Sequence, residues 1–445
     1  MKTSKFESNK CIAVISIHGM GEQSPMDTLR GLVQSLKGDG VLLNQPDTVS
    51  KSYELRRYSY FEDLSKYDFY EYYWANLIQE KGIWNVIRWL KYLLCKKFSE
   101  VPKRLRIPYF FIWIAILVGI AYLGDLAYSI SSVFEIDNAC NLKFLGIESV
   151  KLIPFLFFII ILVSLLVTSK LNLYFGDVVN YTIPAKNNIN EREAIRKKGI
   201  TLFKSIIDRQ NPNGSPYYDK VVVLAHSLGT IIAYDILKII WAERHDKISL
   251  HDATELIKFD NLSREALKNQ DVSQYQQLQD KLRDILLAQN IQKCWNVSDF
   301  ITLGSPLSHA SYLLVDSHNI FNERVTELEF PTSPPSPSVD SEGSFYYLSD
   351  NTQTSHEPDS PSYVLNHGAL FALTKWTNIY FKQDFVGGAI DCFGKGIRNI
   401  ELHPVGIKTR YVPFYAHTSY WDTNQAASVN LLKSILGLTT SRANQ

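Results

Sequence analysis

The chain has 445 residues, a formal net charge of +1, 46% hydrophobic residues and 20% charged residues. At about 150 residues per domain, this length predicts two or three domains, or one large domain with insertions. The near-neutral charge argues against a nucleic-acid-binding protein, which normally carries a basic face. The five scattered cysteines include no Cys-x-x-Cys pair, so they favour a reducing compartment and predict neither a disulfide framework nor a zinc site.

The first predicted element is a buried parallel strand over residues 11–17, which ends at a His-Gly turn. A charged segment precedes it, but no small-residue cleavage site follows, so no cleavable signal peptide is predicted. The next elements are a helix over TLRGLVQSLKG and a strand near residues 50–60. The aromatic segment YDFYEYYWANLIQ, which comes next, is expected near a membrane face.

Two uncharged runs of eighteen residues, 107–124 and 152–169, predict a hairpin of two transmembrane helices. Each run spans about 27 Å as a helix, close to the roughly 30 Å of bilayer hydrocarbon. Lysines and arginines are concentrated outside the hairpin, so the positive-inside rule places both flanks in the cytoplasm. A hairpin that only dips into the bilayer, or a pair of core helices, is the alternative. The chain thus divides into 1–105, the hairpin over 106–170, and 171–445, with the two outer parts forming one domain.

The elements after the hairpin alternate between helix and strand. REAIRKKGITLFKSIIDRQ predicts an amphipathic helix, YDKVVVLAH the strongest strand, and LGTIIAYDILKIIWAE the helix that follows it. Residues 246–292 are polar with a helical period and predict a helical insertion, whereas 320–365, which contain PTSPPSPS, predict a flexible surface loop. ITLGSPL, WTNIYF, FVGGAIDCF and IKTRYVPFY predict further strands, and ASVNLLKSILGL a last helix ended by glycine. This alternation predicts an α/β fold with a mostly parallel, doubly wound sheet.

The turn Ala225-His226-Ser227-Leu228-Gly229 carries the main chemical signal. A serine in a sharp strand-to-helix turn needs small residues two positions before and two after it, which Ala225 and Gly229 supply. The helix N-terminus beneath it favours a developing negative charge. Ser227 is therefore the candidate nucleophile, and the alternative is that it only caps the helix.

The turn His18-Gly19-Met20-Gly21 at the end of the first strand is the second signal. Its glycines allow the backbone to approach the nucleophile, so that a backbone N–H from this turn and that of Leu228 can form an oxyanion hole. An ordinary turn at the end of a strand is the alternative.

Ser227 needs a general base and an acid that orients it. His417 follows the last predicted strand, where the chain order serine, acid, histidine expects the base, and His403 is the competitor. Asp384 directly follows the WTNIYF strand and is preferred as the acid over Asp391. No cluster of ligands calls for a metal, and no cofactor is expected.

HGMGEQ, AHSLGT, ITLGSPL, WTNIYFKQDFVGG and AHTSYW, in this order, resemble the lipase-like branch of the α/β-hydrolase superfamily, including bacterial lipase-like hydrolases. The resemblance implies an α/β-hydrolase fold with Ser227 as nucleophile, His417 as base and Asp384 as acid. It also implies that Met20 and Leu228 donate to the oxyanion, supported by the other residues of the two turns: His18, Gly19, Gly21, Ala225, His226 and Gly229.

The expected function is that of a membrane-anchored serine hydrolase, with a lipid bilayer as its partner and lipids or lipidated esters as substrates. Small soluble esters or thioesters are the alternative substrates. A catalytically silent membrane scaffold with the same fold is the alternative outside enzymes. The oligomeric state is left open.

Overall fold

The computed structural model describes residues 10–20, 24–78 except 39, 51 and 63, then 98, 101–106, eight positions between 109 and 120, 177–182, 186, 188–288 except 251, 295–315, 317–337, 344–349, 362–412 and 415–438. The chain divides into two compact units, one of Met1–Glu80 with Tyr181–Gln445 and one of Lys81–Asn180. Residues 1–80 and 181–445, from both sides of the predicted hairpin, thus belong to the first unit, whereas the flanks 81–105 and 171–180 belong to the second. The site described below lies within the first unit.

A large sheet forms the centre of the first unit. Its strand order is β11-β10-β7-β5-β1-β4-β3-β2, and a small antiparallel sheet has the order β6-β9-β8. The strands are β1 (Lys10–Ile17), β2 (Val41–Pro46), β3 (Arg56–Glu62), β4 (Ser65–Tyr72), β5 (Lys220–His226), β6 (Ser249–Leu250), β7 (Val297–Leu303), β8 (Tyr346–Ser349), β9 (Ser362–Leu365), β10 (Lys375–Phe381) and β11 (Arg398–Leu402). In the large sheet β3 runs opposite to the other strands, so the β2–β3 and β3–β4 pairs are antiparallel and all other pairs are parallel. The predicted α/β class with a mostly parallel sheet is confirmed.

Helices cover both faces of this sheet. In the described residues they are α1 (Asp27–Leu36), α2 (Asp177–Thr182), α3 (Ile189–Ile207), α4 (Leu228–Ala242), α5 (Thr254–Lys268), α6 (Val272–Ala288), α7 (Ala310–Leu313), α8 (His318–Thr326), α9 (Leu370–Leu373), α10 (Ile407–Tyr411) and α11 (Ala426–Leu436). On one face, apolar residues of α1 and α11 share a buried cluster with Val222 and Leu224 of β5. The alternate residues Val221 and Val223 are equally buried, and α4 packs on β1, β5 and α3. The central strands read as continuous apolar runs because both of their faces are buried.

The aromatic segment expected near a membrane face lies instead inside the sheet. Its residues 67–72 belong to β4, which pairs with β1 on one side and β3 on the other. Tyr67, Phe69, Tyr70 and Tyr72 are all buried in the unit's core. The aromatic character of this segment therefore reflects core packing, not contact with lipid.

Two other segments differ from the expected strands. FVGGAIDCF forms turns without a strand, and IKTRYVPFY begins with the short helix α10. The strand on the outer side of β10 is β11, over residues 398–402. Glycines at 387 and 388 explain the first difference, because glycine weakens a strand and favours turns.

The regions predicted as an insertion and as a loop both contain regular structure. Within 246–292, α5 and α6 form the predicted helices, and Gln279 of α6 donates to the carbonyl oxygens of Phe371 and Thr374. Within 320–365 the prediction of one long loop is wrong in part, because α8, β8 and β9 occupy sections of it. The Ser317 side chain accepts the Ile320 N–H and so caps α8. Residues 338–343 and 350–361 of this stretch lie outside the described residues.

The predicted transmembrane hairpin stays a prediction. The run 152–169 lies outside the described residues, as do many positions of the run 107–124. Where the structure describes the chain, none of its helices combines the length and the apolar character that crossing a bilayer requires.

Glu71 gives the fold a pH-dependent contribution to its stability. Its carboxylate lies at the end of β4, 1% exposed, and accepts the Met26 N–H at 2.6 Å just before α1. Burial raises the pKa of Glu71 to about 7, against the opposing effect of that N–H. Since a glutamic acid in an unfolded chain has a pKa of about 4.3, the folded state retains the proton over this interval. The contribution of Glu71 to the free energy of unfolding is therefore fully present below about pH 4.3 and is lost as the pH rises through about 7.

In the wild type, ionisation of Glu71 should lower the free energy of unfolding between about pH 5 and pH 8. In Glu71→Gln this decrease should be smaller by about 2 kcal/mol. Glu54→Gln is the matched control, because Glu54 is exposed. Urea unfolding of the three proteins at both pH values measures the difference. A Glu71→Gln variant whose stability depends on pH as steeply as that of the wild type would contradict the prediction.

Candidate active site

Four neighbouring parallel strands end at the same edge of the sheet and place the candidate residues there. In sheet order they are β10, β7, β5 and β1. Asp384 lies three residues beyond β10, Gly304 directly follows β7, Ser227 directly follows β5, and His18 directly follows β1. The sheet thus brings together positions that are up to 366 residues apart in the chain.

Ser227 lies in a strained turn between β5 and α4. Its backbone has φ 52° and ψ −131°, a conformation that residues other than glycine rarely adopt. A Cβ on Gly229 would come within 2.5 Å of the His18 carbonyl oxygen, so only glycine fits there. Ala225 is fully buried in β5 between Ile17 and Thr302 of the adjacent strands. These small residues leave the space that the tight turn needs.

Ser227, His417 and Asp384 form a continuous hydrogen-bonded chain. Nδ1 of His417 lies 2.9 Å from Oδ2 of Asp384, and Nε2 of His417 lies 2.8 Å from Oγ of Ser227. An ionised carboxylate only accepts, so Nδ1 carries the proton and Nε2 accepts from the serine hydroxyl. All three side chains are about 1% exposed. Nε2 is therefore placed to take the serine proton when the oxygen attacks.

Asp384 is held ionised by several donors. The Tyr420 hydroxyl donates to Oδ2 at 2.7 Å, and the backbone N–H groups of Val386 and Gly387 donate to Oδ1 at 2.9 and 3.1 Å. Burial alone would raise the pKa of Asp384, but His417 and these hydrogen bonds outweigh it and lower the pKa to about 2. The carboxylate is therefore charged at neutral pH.

The two competing candidates lie elsewhere. Asp391 is exposed in a turn, and His403 is exposed beyond the end of β11. The structure does not bring either of them into the hydrogen-bonded chain, whereas it brings all three preferred residues together.

The turn after β1 packs directly against Ser227. A Cβ on Gly19 would lie 2.7 Å from the Ser227 Cβ, so glycine is required for this approach. Met20 is 5% exposed, and Leu228 provides the first N–H of α4, which has no partner within the helix. Gly21 lies outside the described residues. The N–H groups of Met20 and Leu228 remain the predicted oxyanion donors.

Trp74 fixes the position of this turn. Its indole stacks on the His18 imidazole with 5.0 Å between ring centroids, and its Nε1–H donates to the His18 carbonyl oxygen at 3.0 Å. Its backbone N–H donates to Nε2 of His18 at 3.3 Å. Burial lowers the pKa of His18 to about 4, so the ring is neutral and accepts this bond at pH 7. His18 thus has a structural role at the site.

His226 holds the loop of His417 through the backbone. Its Nε2 lies 2.7 Å from the His417 carbonyl oxygen, to which it donates. Burial, followed by the nearby His417, lowers the pKa of His226 to about 3. The ring therefore stays neutral, and one bond holds the loop of His417 against the turn of Ser227.

Sequence reasoning missed the roles of Trp74, Tyr420, Gly304 and Gly387. Tyr420 lies within AHTSYW and Gly304 within ITLGSPL, so both were inside motifs already singled out. Their roles depend on contacts between separate strand ends, which no local pattern encodes. Trp74 carried no signal beyond its aromatic neighbours.

Among the residues that the structure describes, no group of three or more His, Cys, Asp or Glu side chains is placed to hold a metal ion. Comparisons with protein-family models, with curated proteins and with solved structures found no match to this chain. The chemistry inferred for the site therefore depends on its geometry and on the sequence motifs.

Proposed function

We propose that this chain is a serine hydrolase of the α/β-hydrolase type that cleaves carboxylic esters. The observation that carries the proposal is the relay from Ser227 through His417 to Asp384, with both contacts between 2.8 and 2.9 Å. A strained nucleophile turn at the start of a helix supports the same reading. The combination matches the requirements for activating a serine hydroxyl.

The proposed reaction has two stages. Oγ of Ser227 attacks the ester carbonyl while Nε2 of His417 takes its proton, and the N–H groups of Met20 and Leu228 stabilise the oxyanion. The imidazolium then gives the proton to the departing alkoxide, which leaves an acyl-enzyme. Water, deprotonated by His417, hydrolyses the acyl-enzyme and restores the serine. Asp384 stays ionised throughout and stabilises the charged imidazole.

The substrate class follows from the predicted hairpin. Two apolar runs of eighteen residues would anchor the domain in a bilayer, with the catalytic unit on the cytoplasmic side. Anchoring raises the effective concentration of substrates that partition into the membrane. Lipid esters or lipidated molecules are therefore the proposed substrates.

Labelling with a fluorophosphonate probe tests the nucleophile. The wild-type chain is expected to label, and Ser227→Ala is expected to abolish labelling, because the probe reacts only with an activated serine. Ser205→Ala, which removes an exposed hydroxyl on α3, is the control and should label like the wild type. Labelling that persists in Ser227→Ala, or is absent from folded wild-type protein, would overturn the proposal; the second result would favour a silent scaffold.

A separate comparison tests the substrate class. Turnover of long-chain acyl esters in mixed micelles should exceed turnover of short soluble esters at equal concentration. A preference for the short esters would replace the lipid substrate with a small soluble one, while leaving the catalytic residues unchanged.

A further inference from the structure

Residues 403–412 and Tyr415, the described part of the chain between β11 and His417, have an unusual surface. Their exposed apolar side chains are Val405, Ile407, Tyr411, Val412 and Tyr415, with exposed fractions of 60, 79, 72, 49 and 41%. Exposed apolar residues are normally scattered singly on a soluble surface, whereas these five lie within eleven positions of the chain, and such a concentration favours a contact site. We call these five side chains the 405–415 patch.

The charged residues within the segment that carries the patch are all positive. Lys408 and Arg410 are exposed on α10 among the apolar side chains. The sequence contains no Asp or Glu between Glu401 and Asp422. Apolar and aromatic residues next to cations complement an interface that is apolar inside and anionic at its surface, as in a bilayer with acidic lipids.

The backbone under the patch is fixed in place. Gln425, 3% exposed, donates from Nε2 to the Val405 carbonyl oxygen and accepts the Val405 N–H at Oε1, both at 2.8 Å. The buried Thr409 hydroxyl bonds the Val405 and Gly406 carbonyl oxygens. These bonds fix the backbone of α10 so that Thr409 is its buried side chain, while Ile407 and Tyr411 are exposed.

The location connects the patch to the candidate active site. β11 runs parallel to β10, so the segment leaves the sheet at the edge that carries Asp384 and Ser227. Tyr415 lies two residues before His417, and its carbonyl oxygen accepts the Ser419 hydroxyl. A surface bound through this segment would therefore lie beside the catalytic residues.

We propose that the 405–415 patch, with Lys408 and Arg410, docks the catalytic unit onto an anionic lipid surface. The inference deepens the proposed function, because it brings the site to the bilayer that holds its substrate. Docking does not require that Ser227 be active, so an experiment can contradict the docking proposal without contradicting the proposed hydrolase activity, and the reverse.

Hydrogen–deuterium exchange of the full-length chain tests the docking directly. The Ser227→Ala variant is used so that no lipid is hydrolysed, and it is mixed with phosphatidylcholine vesicles that contain or lack phosphatidylserine. The backbone amides of 405–412 are expected to exchange several-fold more slowly with phosphatidylserine vesicles, while α5 stays unchanged as the internal reference. No slowing, equal slowing with pure phosphatidylcholine, or slowing that follows protein concentration without lipid would overturn the proposal; the last result would indicate a second copy of the chain.

A pair of double variants tests the consequence for turnover. Ile407→Asp with Lys408→Glu should lower hydrolysis of a long-chain ester in phosphatidylserine vesicles by about tenfold or more, because an apolar anchor and a cationic contact are both lost. Hydrolysis of a short soluble ester should not change. Ile257→Asp with Lys258→Glu is the matched control, since Ile257 is 48% exposed beside an exposed lysine on α5. Equal losses on both substrates, or in both double variants, would contradict docking through the patch.

The same experiments separate this proposal from the proposed function. If folded wild-type protein fails to label with the fluorophosphonate probe but 405–412 is protected by anionic vesicles, the docking surface stands and the hydrolase activity fails. If the probe labels Ser227 but 405–412 is not protected, the hydrolase activity is supported and the docking surface is contradicted.

Discussion

In the proposed mechanism, Asp384→Asn is expected to lower kcat for ester hydrolysis by about three to four orders of magnitude, as the equivalent change does in known serine hydrolases with such a relay. The carboxylate accepts Nδ1–H of His417 at 2.9 Å and fixes which nitrogen carries the proton. An amide in its place can present an N–H to Nδ1, which would put the proton on Nε2 and prevent it from accepting the serine proton. The fold should survive, because the side chain keeps its shape and one carbonyl oxygen for the Val386 and Gly387 N–H groups.

Asp391→Asn provides the matched control for this experiment. Asp391 lies seven residues later in the same loop but is exposed. Its substitution should leave kcat and KM at wild-type values. Steady-state kinetics on one soluble ester measure kcat and KM of the two variants, and circular dichroism shows whether both are folded. If Asp391→Asn caused the larger loss, the acid would have been assigned to the wrong residue.

Gly304→Ala should damage both stability and turnover. Gly304 has φ +53°, and a Cβ there would lie 2.7 Å from Oδ2 of Asp384 and 3.0 Å from Nδ1 of His417. The left-handed conformation costs about 1–2 kcal/mol for alanine, and the overpacking costs about 1–3 kcal/mol. We expect a decrease of about 3 kcal/mol in the free energy of unfolding. Because the Asp384–His417 pair must shift, kcat should also fall by about a hundredfold.

Gly214→Ala separates these two effects. Gly214 also has a left-handed backbone, with φ +78°, but a Cβ there would meet no atom within 4 Å. It should therefore lower the free energy of unfolding by about 1 kcal/mol through backbone strain alone. Its kcat should equal that of the wild type. Denaturant unfolding and steady-state kinetics measure both quantities; a Gly304→Ala variant with unchanged kcat would show that the pair tolerates displacement.

Several strands and helices could be predicted from the sequence because the patterns that indicate them are local. The apolar run before Ser227 predicts β5, the uninterrupted helical pattern after it predicts α4, and Gly437, with φ +75°, ends α11 as a left-handed cap. The strands β2 and β11 were not predicted. Both lie at the edges of the large sheet and are partly exposed, so they lack the apolar run that identifies a buried strand.

Segments with an ambiguous local pattern were assigned wrongly. The tyrosines and phenylalanine of β4 suit either a membrane face or a core, and only the neighbouring strands β1 and β3 decide between them. The aromatic and aliphatic residues after β11 suggested a strand. Residues Ile407–Tyr411 instead form α10, in which the Thr409 hydroxyl donates to the carbonyl oxygens of Val405 and Gly406.

By itself, the sequence predicted which residues form the candidate site: a serine in a tight turn between a strand and a helix, and a histidine and an aspartate in the chain order that a serine hydrolase site uses. Only the tertiary structure decided which of them meet. The choice of Asp384 over Asp391 and of His417 over His403 depends on which strand ends are neighbours, since hydrogen bonds of 2.8 and 2.9 Å form only between side chains that the sheet holds at one edge. The support from Trp74, Tyr420 and Gly304 has the same origin, because contacts between distant segments leave no periodic pattern in the chain.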